Sequence, residues 1–246
     1  MPIYEKAQCI EISIPKTGTT SRYSLITGVP KSLDISRGAN YGRCDSLEST
    51  RLDLYNFFVH GHFTYIQLQK WLKTTFLTDK QREAYSAFPT FCFVRNPYDR
   101  YISFWYHCRR QNPYLKYDFD YGFDKFTDQL FFAYNNNMDI DHLQPIEREF
   151  YKECFVNIGT QSEFILDQNN NIGVDFVLRL ENLETEYNNL REHISHLPPF
   201  DPSIHLNKSA NRVDSNYQKY YNIEIKEKVY KMFEKDFKIL GYDNEL

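Results

Sequence analysis

The chain has 246 residues, 41% of them hydrophobic and 25% charged, with a formal net charge of -4. That length encloses a substantial core, and 17% aromatic content leaves no case for disorder. The mean hydropathy is -0.62, and no apolar run approaches the ~18 to 20 residues of a membrane span.

The run AQCIEISI (Ala7–Ile14) is β-branched and ends at Pro15, which predicts a buried strand. A small, polar loop follows, and TTSRYSLITG (Thr19–Gly28) predicts a helix with Thr or Ser at its cap. Residues 29–52 are polar and turn-rich. LYNFFVHG (Leu54–Gly61) reads as a second strand, with a helix through about Thr75. FPTFCFVR (Phe88–Arg95) is a third strand, and Pro97 suits the first turn of a helix to about Arg110. Residues 111–160 are aromatic and Asn-rich, with helix and long loops expected. VDFVLRLENL (Val174–Leu183) predicts another buried strand, followed by a helix over about 184–197.

HLPPFDP is a break and HLNKSANR a polar loop. The tail puts Ile225, Val229, Met232, Phe233, Phe237 and Leu240 at helical spacing and closes at Gly241. Strand–helix alternation of this kind predicts an α/β fold, three layers with a central, mainly parallel sheet flanked by helices. No repeat or linker interrupts it, so residues 1–246 read as a single domain.

The opening residues lack the charged, apolar and small-residue order of a signal peptide, so a cytoplasmic protein without integral membrane association is expected. Five widely spaced cysteines form no CxxC pair, and no metal site is expected. Cys9 and Cys92, in strand-like runs, read as core thiols. Residues 1–110 carry 15 Lys and Arg against 9 Asp and Glu, while residues 111–246 carry 14 against 24. A basic N-terminal half on an acidic chain points to a local anion site rather than a nucleic-acid surface.

IPKTGTTS (Ile14–Ser21) is the natural place for that anion. Between a strand and a helix, backbone N–H groups and the helix N-terminus converge above the strand end. Gly18 permits close approach; Thr17, Thr19, Thr20 and Ser21 bring hydroxyls, and Lys16 a full charge. The pattern GxxxxGK[ST] is absent, because here Lys precedes Gly. Taken alone, the loop also fits an ordinary Ser/Thr-rich cap.

In FCFVRNPYDRYISFWYH (Phe91–His107), Arg95 ends a strand and Ser103 follows eight residues later within a helix. One guanidinium and one hydroxyl can there grip a second anion. A surface ion network of Arg95, Asp99 and Arg100 is the other reading.

Together the two segments resemble the PAPS-dependent sulfotransferases, PAPS being 3′-phosphoadenosine 5′-phosphosulfate. PKTGTTS is similar to that family's 5′-phosphosulfate loop, and VRNPYDRYIS to its 3′-phosphate motif. The likeness is strongest to the carbohydrate branch, including the heparan sulfate 2-O-sulfotransferase and chondroitin-type enzymes. It implies a P-loop-like fold, PAPS as donor, adenosine 3′,5′-bisphosphate as product, and a glycan or other hydroxyl-bearing acceptor. It also implies that the loop residues Lys16 to Ser21 hold the 5′-phosphate, Lys16 also neutralising the leaving oxygen. Arg95 and Ser103 would take the 3′-phosphate.

FFVHGHFTYIQL supplies His60 and His62 after the second expected strand. Histidine suits a neutral base near pH 7, although HxH also fits zinc ligation or a hydrogen-bonded core residue. The segment resembles the HGH stretch of the 2-O-sulfotransferase group, which implies His62 as catalytic base and a supporting role for His60. Weaker resemblance places Lys208 and Ser209, with Asn207, in a loop over the nucleotide, and HLQPIEREF along the acceptor cleft. Glu181 reads as a supporting residue or an alternative base, or as a residue that simply opens a helix. A Mg²⁺-dependent phosphotransferase, a sulfotransferase acting on a small non-sugar alcohol, and a non-catalytic anion-binding module are the rival readings.

Overall fold

Four short strands make the sheet. The computed structural model describes residues 3–28, 62–74, 77–111, 122–136, 159–204 and 216–246. Among them, β1 (Ile3–Tyr4), β2 (Cys9–Glu11), β3 (Thr90–Val94) and β4 (Phe176–Arg179) lie in the order β1-β2-β3-β4. β1 is antiparallel to β2, whereas β2, β3 and β4 run parallel. The register pairs Glu11 with Phe91 and Phe91 with Phe176. All five residues of β3 are buried, so both of its faces are covered, as expected for a parallel sheet fed by crossovers.

Eight α-helices are described: α1 (Thr19–Thr27), α2 (Tyr65–Leu72), α3 (Asp79–Ala87), α4 (Pro97–Gln111), α5 (Phe123–Asn135), α6 (Gln161–Ile165), α7 (Leu183–His193) and α8 (Ile223–Leu240). A 3₁₀ turn at Leu180–Asn182 links β4 to α7. The result is an α/β fold of the P-loop-like kind, with a mainly parallel sheet.

The chain groups into two compact units: Met1–Arg95 with Glu163–Asn207, and Asn96–Ser162 with Lys208–Leu246. The first holds the sheet. On one face Cys9, Phe91, Phe93 and Leu178 pack with Leu25 of α1 and with Tyr187, Leu190 and Ile194 of the α7 segment. Cys9 and Cys92 are buried free thiols, in line with their strand-like surroundings. Burial, and next the Glu11 carboxylate, push the Cys9 thiol up to about 12.

The second unit is helical and aromatic. α8 packs against α5 and α4, burying Tyr98, Tyr101, Phe104, Trp105, Phe123, Phe126, Val229, Phe233 and Phe237. Tyr101 sits among four rings, 5.6 Å from Phe123, 5.8 Å from Phe233, 6.0 Å from Phe126 and 6.3 Å from Phe104. Asn222 caps α8 through its side chain, and Gly241 ends it at φ 65°. Buried Asp236 of α8 accepts hydrogen bonds from the backbone N–H groups of Gln161 and Ser162, both at 2.8 Å. A side chain from one helix thus caps the first turn of another.

Candidate active site

The strand end decides the local geometry. After β2 the chain continues through residues 12–14 and then turns through Pro15, Lys16, Thr17 and Gly18 into α1. Lys16 has φ 67° and Gly18 φ 82°, both left-handed. At Gly18 a Cβ would meet Leu180 Cδ1 at 3.2 Å and Arg22 Nη1 at 3.4 Å, so glycine suits this position on two counts.

Gly18 is also the N-cap of α1, and no side chain caps the helix. The sequence predicts a Thr or Ser cap; the hydroxyls turn back instead. Thr17 and Thr19 both donate to the Ile14 carbonyl, at 2.9 and 3.3 Å. That anchors the loop to the preceding segment through Ile14. Ser21 is half-buried in the first turn, and the backbone of Thr20 lies in α1.

Two arginines hold the loop from beneath. Arg95, immediately after β3, donates from Nη1 to the Lys16 carbonyl at 3.3 Å. Arg22, fully buried on α1, donates from Nη1 to the Thr17 carbonyl and from Nη2 to Thr17 Oγ1 at 3.3 Å. In a trans peptide the C=O and the next N–H point opposite ways, and no cis peptide occurs among the described residues. Tying these two carbonyls to guanidinium groups therefore turns the Thr17 N–H away from Arg95 and the Gly18 N–H away from Arg22. Successive backbone N–H groups that point the same way can line an anion-binding concavity.

Sequence reading alone passed over Arg22 and its support. Arg22 donates to Glu11 Oε1 from Nε at 3.0 Å and from Nη2 at 2.5 Å, and the pair is fully buried. The guanidinium lies 4.5 Å from the centre of the Phe93 ring. Tyr4 completes the set, its hydroxyl donating to Glu11 Oε2 at 2.7 Å. Burial, then the Glu11 charge, raise the Tyr4 phenol well above its ordinary value, which keeps it a donor. The available signal was Glu11 itself, a carboxylate inside an apolar strand run, which requires an internal partner.

His62 stands at the entry to α2. Thr64 and Gln67 form a reciprocal capping box there, and a Cβ on Gly173 would collide with the Tyr65 ring. The His62 Nδ1 lies 2.8 Å from the Ser13 carbonyl oxygen. A carbonyl only accepts, so Nδ1 carries the hydrogen and the lone pair of the neutral ring sits on Nε2. The residue next to the loop thereby sets the tautomer of the expected base.

Lys16, Thr17, Gly18, Arg95 and, through Ser13, His62 are thus gathered at the ends of β2 and β3. Ser103 is half-buried within α4, in the helical unit. Glu181 is exposed in the 3₁₀ turn after β4. His60, Asn207, Lys208, Ser209 and the HLQPIEREF stretch lie outside the described residues. Among the described residues no group of His, Cys, Asp and Glu could hold a metal ion, and no helix is long and apolar enough to cross a membrane.

A mainly parallel sheet with the Lys16–Gly18 loop at its strand ends defines an α/β protein. A family model described as the sulfotransferase family matches residues 53–243, and the chain belongs to that family. The matched stretch includes His62, Arg95 and β4, while the loop at 14–21 precedes it. Neither the curated proteins nor the solved structures give a match.

Proposed function

We propose that this chain is a PAPS-dependent O-sulfotransferase whose acceptor is a carbohydrate or glycoconjugate hydroxyl. The observation that carries the reading is the hydrogen bond from Arg95 Nη1 to the Lys16 carbonyl. It joins the two segments that resemble the 5′-phosphosulfate and 3′-phosphate motifs, 79 residues apart in the chain. A phosphate loop alone would suit many nucleotides; a loop in contact with a second cationic group suits one bearing two separated phosphates.

The residues present fit such a donor. Gly18 has no side chain on the loop surface, Thr17 and Gly18 offer N–H groups, and Lys16 adds a positive charge. The donor supplies the sulfuryl group and departs as adenosine 3′,5′-bisphosphate. Lys16 would neutralise the charge that builds on the leaving oxygen. Arg95 would favour a 3′-phosphate, and the share of Ser103 rests on the resemblance. His62 Nε2 would take the proton of the acceptor hydroxyl as its oxygen bonds to sulfur, with Nδ1 held by Ser13 throughout.

The acceptor class and the likeness to the heparan sulfate 2-O-sulfotransferase group rest on the resemblance of the HGH stretch. A cytoplasmic location belongs to the same proposal, supported by the buried free thiols of Cys9, Cys92 and Cys108.

Calorimetric titration with adenosine 3′,5′-bisphosphate, against ATP and 5′-AMP, tests the reading. Binding of the bisphosphate in clear preference to both is the expected result. A preference for ATP, or no uptake of any of the three, overturns it.

A further inference from the structure

We infer that Arg22 is a positioning residue for the 5′-phosphate loop, set by a buried relay running from Tyr4 through Glu11. The inference rests on the function proposed above and assigns to a residue outside the resemblance a duty toward one end of the donor only.

Arg22 meets the loop with its whole donor fork. Nε and Nη2 reach Glu11 Oε1, while Nη1 reaches the Thr17 carbonyl and Nη2 also faces Thr17 Oγ1. A planar guanidinium cannot rotate one arm without the others, so fixing Nε and Nη2 on Glu11 fixes the direction in which Nη1 points. Glu11 is itself fixed, being on β2 with its second oxygen held by Tyr4. The orientation of the sheet is thereby handed to the peptide between Thr17 and Gly18. That peptide's N–H is one of the groups facing the anion.

A structural ion pair alone would have no reason to end on a loop carbonyl. Here the pair is fully buried at both ends, and its remaining donor goes to the turn that a bound phosphate would contact. Arg22 touches neither donor nor acceptor in this scheme; it acts through the Thr17–Gly18 peptide.

The test compares two nucleotides that differ only at the 5′ end. Arg22→Lys keeps a positive charge beside Glu11 but loses the fork. It should weaken adenosine 3′,5′-bisphosphate binding by about tenfold, read by calorimetry. Binding of adenosine 3′-monophosphate, read by ligand-observed NMR, should stay within about twofold. If Arg22→Lys fails to fold by thermal melt, the triple variant Tyr4→Phe, Glu11→Leu, Arg22→Met replaces it. That variant removes all three polar partners together and should show the same selective loss.

Equal weakening of both nucleotides, or unchanged bisphosphate binding, overturns the inference while leaving the proposed function standing. A wild-type protein that takes up neither nucleotide overturns both.

Discussion

Ser13 and His62 are 49 residues apart in sequence, yet the carbonyl oxygen of one receives the Nδ1 hydrogen of the other at 2.8 Å. Because Ser13 lies three residues before Lys16, the backbone leading into the loop also orients the imidazole. The His62 ring and the loop therefore share one support.

Replacing His62 by Ala should lower turnover by ~10²- to 10⁴-fold, the usual contribution of a positioned base. Affinity for the bisphosphate should stay within about twofold, since the ring is assigned to the acceptor proton. Steady-state kinetics beside calorimetry separates the two effects, and full turnover in the variant would remove His62 from the role.

Gly18→Ala places a Cβ on a residue at φ 82° and against Leu180. A cost of about 1 kcal/mol or more is expected from the left-handed backbone alone. Urea unfolding should show a lower midpoint with an unchanged slope, and bisphosphate affinity should fall as well.

Asp236 accepts two backbone N–H groups in the helical unit. Asp236→Asn puts an NH₂ where one acceptor stood, leaving a buried N–H unmatched at a cost of about 1 to 3 kcal/mol. The loss should appear in urea unfolding as a shift much larger than that of an exposed carboxylate such as Glu181→Gln.

Alkaline pH should destabilise the fold in a definite window. Burial pushes Cys9 up to about 12, and likewise raises Cys92, Tyr4 and Tyr221. For Cys9, Tyr4 and Tyr221 the next contributors also raise the value: Glu11 for the first two and Tyr101 for the third. These groups hold their protons more tightly folded than unfolded. Their contribution is complete below the ordinary thiol value of 9.0 and declines as pH climbs from there toward about 12. Thermal melts should be level up to about pH 9 and fall steadily above it, and a flat profile between pH 9 and 12 would contradict the assignment.

Much of the framework was legible because periodicity and punctuation agreed. The expected strands at 7–14, 88–95 and 174–183 contain β2, β3 and β4, each shorter than its apolar run. Helix α8 matches its six spaced apolar residues and its closing Gly241. The expected strand at 54–61 lies outside the described residues. β1 was missed because two residues carry no period, and its antiparallel pairing comes from the tight turn after Tyr4. Helix α3 was missed because it buries only Tyr85; its signature was the capping box Thr78–Gln81.

The site divides along the same line. Lys16, Gly18, Arg95 and His62 belong to recognisable motifs, so the sequence offers them as candidates, and the structure brings them together at the strand ends. Arg22 and Glu11 do their work by facing each other in the interior, and no local spacing announces a partner eleven residues away. The roles of the loop hydroxyls were also beyond reach, since whether Thr17 faces an anion or the Ile14 carbonyl depends on dihedral angles that its neighbours do not encode.

The path of the chain between its two units has a bearing on how the protein is made. The sheet-bearing unit is interrupted after Arg95 and resumes only at Glu163, and β4 pairs with β3 from Phe176 onward. A ribosome has therefore to deliver the chain through Arg179 before the last described strand can dock, and Gly18 meets Leu180 only then. The helical unit waits longer still, for α8 at Ile223–Leu240. Neither unit can be cut out as a continuous stretch, so stop codons anywhere before β4 should yield insoluble fragments rather than a smaller working protein.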